Sequence, residues 1–216
     1  MANEHYFSQS PSSDEATVER LVSLRGREYA VATSGGVFSA DHVDKGTAVL
    51  LHKAPEPDLG PGDLAIDLGC GWGPLTLALC EEAPGADVWA VDVNERALEL
   101  TRKNAARAGF SPKALAADEA LAALGERKIQ LIWSNPPVRI GKARLHELLT
   151  TWIERLADDG AAYLVIQRNL GADSLRSWML GQGWGCEKIG SAKGFRVFAV
   201  TRTPREGEET AADERG

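Results

Sequence analysis

Two short stretches carry residue types that can do chemistry. In SNPPVR, residues 134–139, an amide and two prolines follow the apolar run LIW. Asn135 offers a side-chain oxygen and Pro136 a backbone carbonyl, two acceptors on adjacent residues. Proline has no N–H and a fixed φ, so Pro136 and Pro137 hold those acceptors rigid at a strand tip. The plainer reading is a strand stopped by prolines for topology alone. The second stretch is DLGCGWG, residues 67–73. Gly69, Gly71 and Gly73 run G-x-G-x-G, and Pro74 stands where the dinucleotide fingerprint would place its third glycine. Such glycines let a ligand approach the backbone, and the helix that follows offers free N–H groups. The plainer reading here is a tight strand-to-helix turn. Asp67, just before the loop, suits a cationic ligand better than a pyrophosphate.

Two further acids stand at strand ends. Asp92, in VDVNERAL, comes about 25 residues after Asp67 and can take both hydroxyls of a ribose. Asn94 can cap the helix that follows. Asp118, in LAADEAL, can accept from an adenine amino group or serve as a helix N-cap, and both readings stand.

These groups need a scaffold, and the pattern supplies one. Residues 64–68, 87–93, 113–117, 128–134, 161–166 and 196–201 are short apolar runs of strand length. Helical patterns follow the first, second and fourth. One opens at Pro74, suited to a first turn. One closes on Gly109, a C-terminal cap. The third, 143–160, sets Leu145, Leu148, Leu149, Trp152, Ile153 and Leu156 on one face. Alternating strands and helices with near-continuously apolar strands predict a mainly parallel α/β sheet covered on both faces. REYAVATSGGVFS reads as two short strands around Ser34, Gly35 and Gly36, a β-hairpin added ahead of the core.

The 216 residues are 44% hydrophobic and 25% charged, which fits one globular domain with an extension. No run approaches a membrane span, and MANEHYFSQS lacks the form of a secretory signal. Cys70, Cys80 and Cys186 are scattered without a C-x-x-C, against zinc or disulfides and in keeping with a cytoplasmic location. The four histidines form no ligand set, so no metal is expected; His146 reads as solvent-facing. Net charge is −7, and the tail REGEETAADERG, with five acids and two bases, reads as disordered.

DLGCGWG, VDVNERAL, AADEAL and SNPPVR occur in the order and spacing of class I S-adenosylmethionine-dependent methyltransferases, and the chain resembles them. HYFS (5–8), LRGREY (24–29), GVFSADHVDKGT (36–47), SNPPVR and KGFRV (193–197) resemble the small-domain methyltransferase family more closely. That family includes bacterial guanine-N2 methyltransferases of 16S ribosomal RNA. The resemblance covers roughly residues 5–203. It implies a Rossmann-like fold with a seven-stranded, mostly parallel sheet whose last strand is antiparallel. It implies S-adenosylmethionine as cofactor, with contacts at Asp67, Gly69, Gly71, Asp92 and Asp118. Cys70, Gly73, Asn94 and Asn135 complete the expected cofactor set.

The implied reaction is methyl transfer to an exocyclic amine, with Asn135, Pro136 and Pro137 as the catalytic stretch. A delocalised nitrogen is a poor nucleophile, so it must be oriented through its N–H groups, and the two acceptors suit that task. The expected substrate is guanine N2 of ribosomal RNA, free or in the small subunit. The rivals are a protein glutamine, a small molecule, or a non-catalytic cofactor-binding RNA module. Many N-P-P enzymes that methylate adenine in DNA or glutamine in protein carry Tyr or Phe after the second proline, where the ring stacks on the target; this chain has Val138 and then Arg139. Phe38 is the candidate replacement, or else a core residue of the hairpin. Arg139 reads as a contact to RNA phosphate or base edge, or as a solvated cation. Arg20, Arg25, Arg27, Lys45 and Lys53 are candidates for a basic patch. Residues 1–55 form the expected extension, 56–203 the methyltransferase domain and 204–216 the tail.

Overall fold

The computed structural model describes residues 17–35, 37 and 43–203. Phe38, the HYFS segment and the tail 204–216 lie outside the described residues. In chain order the elements are β1 (Val18–Leu24), β2 (Arg27–Thr33), α1 (Lys45–Lys53), β3 (Leu64–Leu68), α2 (Pro74–Glu82), β4 (Asp87–Asp92), α3 (Glu95–Arg107), β5 (Lys113–Ala116), α4 (Ala117–Leu124), β6 (Ile129–Ser134), α5 (Lys142–Ile153), β7 (Leu156–Gln167), α6 (Ala172–Gly181), β8 (Gly185–Ala192) and β9 (Phe195–Thr201).

Seven strands form one sheet in the order β5-β4-β3-β6-β7-β9-β8. The pairs around β3, β4 and β6 are parallel, and β9 runs antiparallel to both β7 and β8. This is the seven-stranded, mostly parallel sheet that the resemblance implied. Period-two alternation divides the core between the two faces. Leu64, Ile66 and Leu68 of β3 join Ile132, Leu164 and Phe198, covered by α4, α5 and α6. Ala65 joins Leu131, Trp133 and Val197 on the other face, covered by α1, α2, α3 and the hairpin. All five residues of β3 are buried, as a central strand between two helical layers requires.

The chain leaves β3 outward through β4 and β5, then crosses back to β6 on the other side of β3. Ligands bind where strand order reverses in this way, outside the carboxyl ends of the strands. Ser134 Oγ donates to Leu68 O at 2.7 Å and ties the two strand tips together there.

Several sequence expectations need correction. The hairpin pairs β1 with β2, and its turn is Arg25–Gly26, not Ser34–Gly36. Both turn residues have positive φ, 47° and 84°, which matches a two-residue hairpin turn to the twist of the strands. The third helical pattern overran: α5 ends at Ile153, and Leu156 opens β7 opposite Ile129. The DDG segment belongs to that strand, and a Cβ on Gly160 would meet Ile129 O at 2.6 Å. His146 does not face solvent freely. Its ring stacks on Trp178 at 3.7 Å, and partial burial, with Lys142 nearby, lowers its pKa.

Elements the pattern did not announce are β1, α1, α4, α6 and β8. Helix α1 lies within the stretch read as an extension packed on the core, and it packs against β7, β8 and β9. Arg25 and Arg27 do not join a basic patch: they pair with Glu82 and Glu81, and Arg25 also donates to Leu51 O and Ala54 O.

Candidate functional site

A cavity of about 650 Å³ opens at the switch point, within the range of small-molecule sites. Gly69, Gly71, Asp92 and Asn94 line one side, and Asn135, Pro136, Pro137 and Arg139 the other. Cys70 lines a smaller recess beside it, shared with Asp44, Thr47 and Asn135. Of the expected residues, Asp67, Gly73 and Asp118 do not line the large cavity.

The glycine loop is held from below. Gly69 and Cys70 N–H donate to Val91 O, and Gly71 N–H donates to Asp92 Oδ2 at 2.9 Å. Asp92 Oδ1 accepts from Asn94 N–H at 2.9 Å. Each Asp92 oxygen keeps acceptor capacity toward the cavity. Asn94 caps α3 through Arg96 N–H, as expected. Gly69 and Gly71 have positive φ, and a Cβ on either would meet nothing within 4 Å, so their open faces admit a ligand. Gly73 is packed instead: a Cβ there would reach Thr101 Oγ1 at 3.0 Å.

Asp67 stands behind the loop, fully buried. Gly73 precedes α2 and has no side chain to cap it, so Asp67 does so from the preceding strand. Its Oδ2 accepts from Thr76 N–H at 2.8 Å and from Thr76 Oγ1 at 2.6 Å, while Oδ1 is buried without a partner among the described residues. Burial pushes the carboxyl up to about 7, against the Thr76 hydrogen bonds that favour the charge. Asp118 is exposed in the first turn of α4. It neither ends the strand nor caps the helix, because β5 stops at Ala116. Its neighbour Ala117 lines the cavity.

At Asn135 the structure adds what the sequence reading lacked. Asn135 Nδ2 donates to Asp44 Oδ1 at 2.7 Å and to Thr47 Oγ1 at 3.1 Å. With its nitrogen engaged, Asn135 Oδ1 has no partner among the described residues. Asp44 is itself held as the N-cap of α1, its Oδ1 accepting from Gly46 and Thr47 N–H. Pro137 sits at φ −74° and ψ 74°, the centre of an inverse γ-turn. Pro136 O therefore accepts from Val138 N–H at 2.8 Å and retains one lone pair.

Phe195 also lines the cavity. A Cβ on Gly46 would lie 2.9 Å from the Phe195 ring, 2.9 Å from Asp44 Oδ1 and 3.2 Å from Asn135 Nδ2. Glycine is thus required where helix, ring and amide converge. Asp44, Thr47 and Phe195 were missed as site residues, although the signal was present. Asp44 precedes the apolar run AVLL with the spacing of a helix cap, and Phe195 sits within KGFRV.

Residues 28–199 match the family described as the methyltransferase small domain. The chain belongs to the small-domain methyltransferase family. Its cofactor is S-adenosylmethionine, and the residues present fit it: two open glycines, an acid with spare acceptor capacity and a cavity of matching size. Among family relatives, the uncharacterized protein YbxB of Bacillus subtilis is 32% identical over 173 residues, spanning 80% of this chain and 85% of that protein. Ribosomal RNA small subunit methyltransferase C of Pseudomonas entomophila is 33% identical over 193 residues, 87% of this chain and 56% of that protein. The solved Thermus thermophilus 16S rRNA N2 G1207 methyltransferase, in complex with AdoMet and guanosine, superposes with a TM-score of 0.73 at 25% identity, over 92% of this chain and 53% of that one. The chain thus spans about half the length of these ribosomal RNA methyltransferases. Among the described residues no helix is long and apolar enough to cross a membrane.

Proposed function

We propose that this methyltransferase acts on the exocyclic N2 amine of guanine in small-subunit ribosomal RNA. The observation that carries the reading is the fixed amide. Asp44 and Thr47 hold Asn135 by its nitrogen, so its oxygen is the group left to accept from an amine. S-adenosylmethionine, when bound, supplies an electrophilic sulfonium methyl group. Asp92 and the open faces of Gly69 and Gly71 would hold it. Asn135 Oδ1 and the remaining lone pair of Pro136 O would take the two N–H groups of the target and aim its nitrogen. Both acceptors are pre-set, one by Asp44 and one by the γ-turn, so little reorganisation accompanies the reaction.

The substrate reading draws support from relatives named for ribosomal RNA methylation and from the cavity rim. Val138 carries no ring, and Phe195 is the aromatic face that a base would meet in its place. Arg139, Lys142, Arg144 and Arg168 are exposed around short helical turns and the start of α5, without ion-pair partners among the described residues. They suit contact with a phosphate backbone.

The test is methyl transfer from labelled cofactor to 30S subunits, free 16S RNA and release-factor protein in parallel. Label is expected in guanine of the RNA. Asn135→Ala is expected to lower turnover at least about 10²-fold with cofactor affinity nearly intact. Label confined to protein overturns the RNA reading, and label in adenine overturns the choice of base.

A further inference from the structure

We infer that Asp44 determines the base: its second carboxylate oxygen reads the N1–H of guanine while Asn135 holds the N2 amine. This rests on the guanine reading proposed above. The two oxygens of Asp44 are in different situations. Oδ1 takes three donors, Gly46 N–H at 2.7 Å, Thr47 N–H at 3.1 Å and Asn135 Nδ2 at 2.7 Å. Oδ2 has no partner among the described residues and is not sealed off from solvent. Asp44 lines both the large cavity and the recess beside Asn135. Asp44 and Asn135 therefore bring to one cavity a carboxylate oxygen and an amide oxygen that have no partner among the described residues.

That pair of acceptors has a chemical match. Guanine presents two adjacent donors on its Watson–Crick edge, N1–H and the N2 amine. Adenine presents an amine beside an N1 lone pair, which would face the carboxylate acceptor to acceptor. An ionised carboxylate has only acceptors, so it favours the first edge and opposes the second. Sites that hydrogen-bond a substrate group reject analogues lacking it far more strongly than apolar pockets reject a misfit. Asp44 thus combines two tasks: through Oδ1 it turns the Asn135 amide, and through Oδ2 it selects the base.

The discriminating probe is 2-aminopurine riboside, which keeps the N2 amine but carries a lone pair at N1. Asp44→Asn keeps an oxygen to cap α1 and to hold Asn135, while replacing the other oxygen with a donor. Binding of guanosine and 2-aminopurine riboside is measured by calorimetry on the full chain saturated with S-adenosylhomocysteine. The wild-type protein is expected to prefer guanosine at least about tenfold. In Asp44→Asn that ratio should fall at least about tenfold, with S-adenosylhomocysteine affinity changed less than about twofold; these factors correspond to one hydrogen bond at about 1.4 kcal/mol per tenfold. A guanosine preference that survives Asp44→Asn overturns the role of Asp44 and leaves the guanine reading standing. A wild-type protein that does not prefer guanosine overturns both. Loss of S-adenosylhomocysteine binding in Asp44→Asn makes Asp44 a structural cap and overturns its role in choosing the base.

Discussion

Asp67 is an acid placed where its charge is costly. Two hydrogen bonds from Thr76 and the start of α2 favour the carboxylate, yet complete burial and the unpartnered Oδ1 outweigh them, and the group titrates at about 7. In the unfolded chain an aspartate titrates near 4. The folded state therefore holds this proton more tightly. Its contribution to stability is fully present below about pH 4, declines as pH rises and is lost by about pH 7, a total on the order of 4 kcal/mol at 1.36 kcal/mol per pH unit. The Asp67→Asn variant keeps an oxygen that accepts from Thr76 but cannot ionise. Urea unfolding should show the wild-type protein losing about 2–3 kcal/mol more than Asp67→Asn between pH 5 and pH 8. Equal pH dependence in the two would place the ionisation elsewhere.

Among the elements, α1 is the one that holds the Asn135 amide, and Gly46 is its tightest point. Alanine there gains roughly 1 kcal/mol of helix propensity. Its methyl, however, must displace the Phe195 ring or the Asp44–Asn135 pair, at about 1–3 kcal/mol. Gly46→Ala should leave the melting temperature little changed while lowering methyl transfer severalfold at unchanged cofactor affinity, read by calorimetry beside a turnover assay. The sequence made the two halves of the site legible to different degrees. The glycine loop, the acid that ends β4 and Asn135 are local signals, each fixed by a strand ending in a turn, and they meet at one cavity. The Schellman end of α3 at Gly109 was legible for the same reason: Phe110 N–H returns to Ala105 O at 2.8 Å. Asp44 and Phe195 reach Asn135 from elements 91 and 60 residues away in sequence, so no periodicity could pair them. Helix α1 was hidden because its apolar run is short, and α5 was overread because Leu156 continues the helical spacing while pairing with Ile129.

At the scale of the whole molecule, net charge −7 opposes a polyanion, so the proposed RNA binding would draw on locally grouped cations such as those near the cavity. Binding of 16S RNA should weaken steeply with salt, and Arg139→Ala should reduce that salt slope by about one if the guanidinium meets a phosphate. A slope left unchanged, with altered base preference, would put Arg139 on the base edge. The hairpin and the glycine loop are joined by the Asn104 side chain. Asn104 of α3 is buried; it accepts from Ala32 N–H at 2.7 Å and donates to Ala32 O at 2.9 Å and to Trp72 O at 2.8 Å. Opening the hairpin would leave that amide partly unpaired beneath the glycine loop, at about 1–3 kcal/mol. The two openings are therefore linked, and a ligand that steadies the loop must also slow the breathing of the hairpin. Deuterium uptake at the Ala32 amide should fall when S-adenosylmethionine is added. A strand outside the main sheet would then report, by the clock of its own exchange, whether the cofactor is in place.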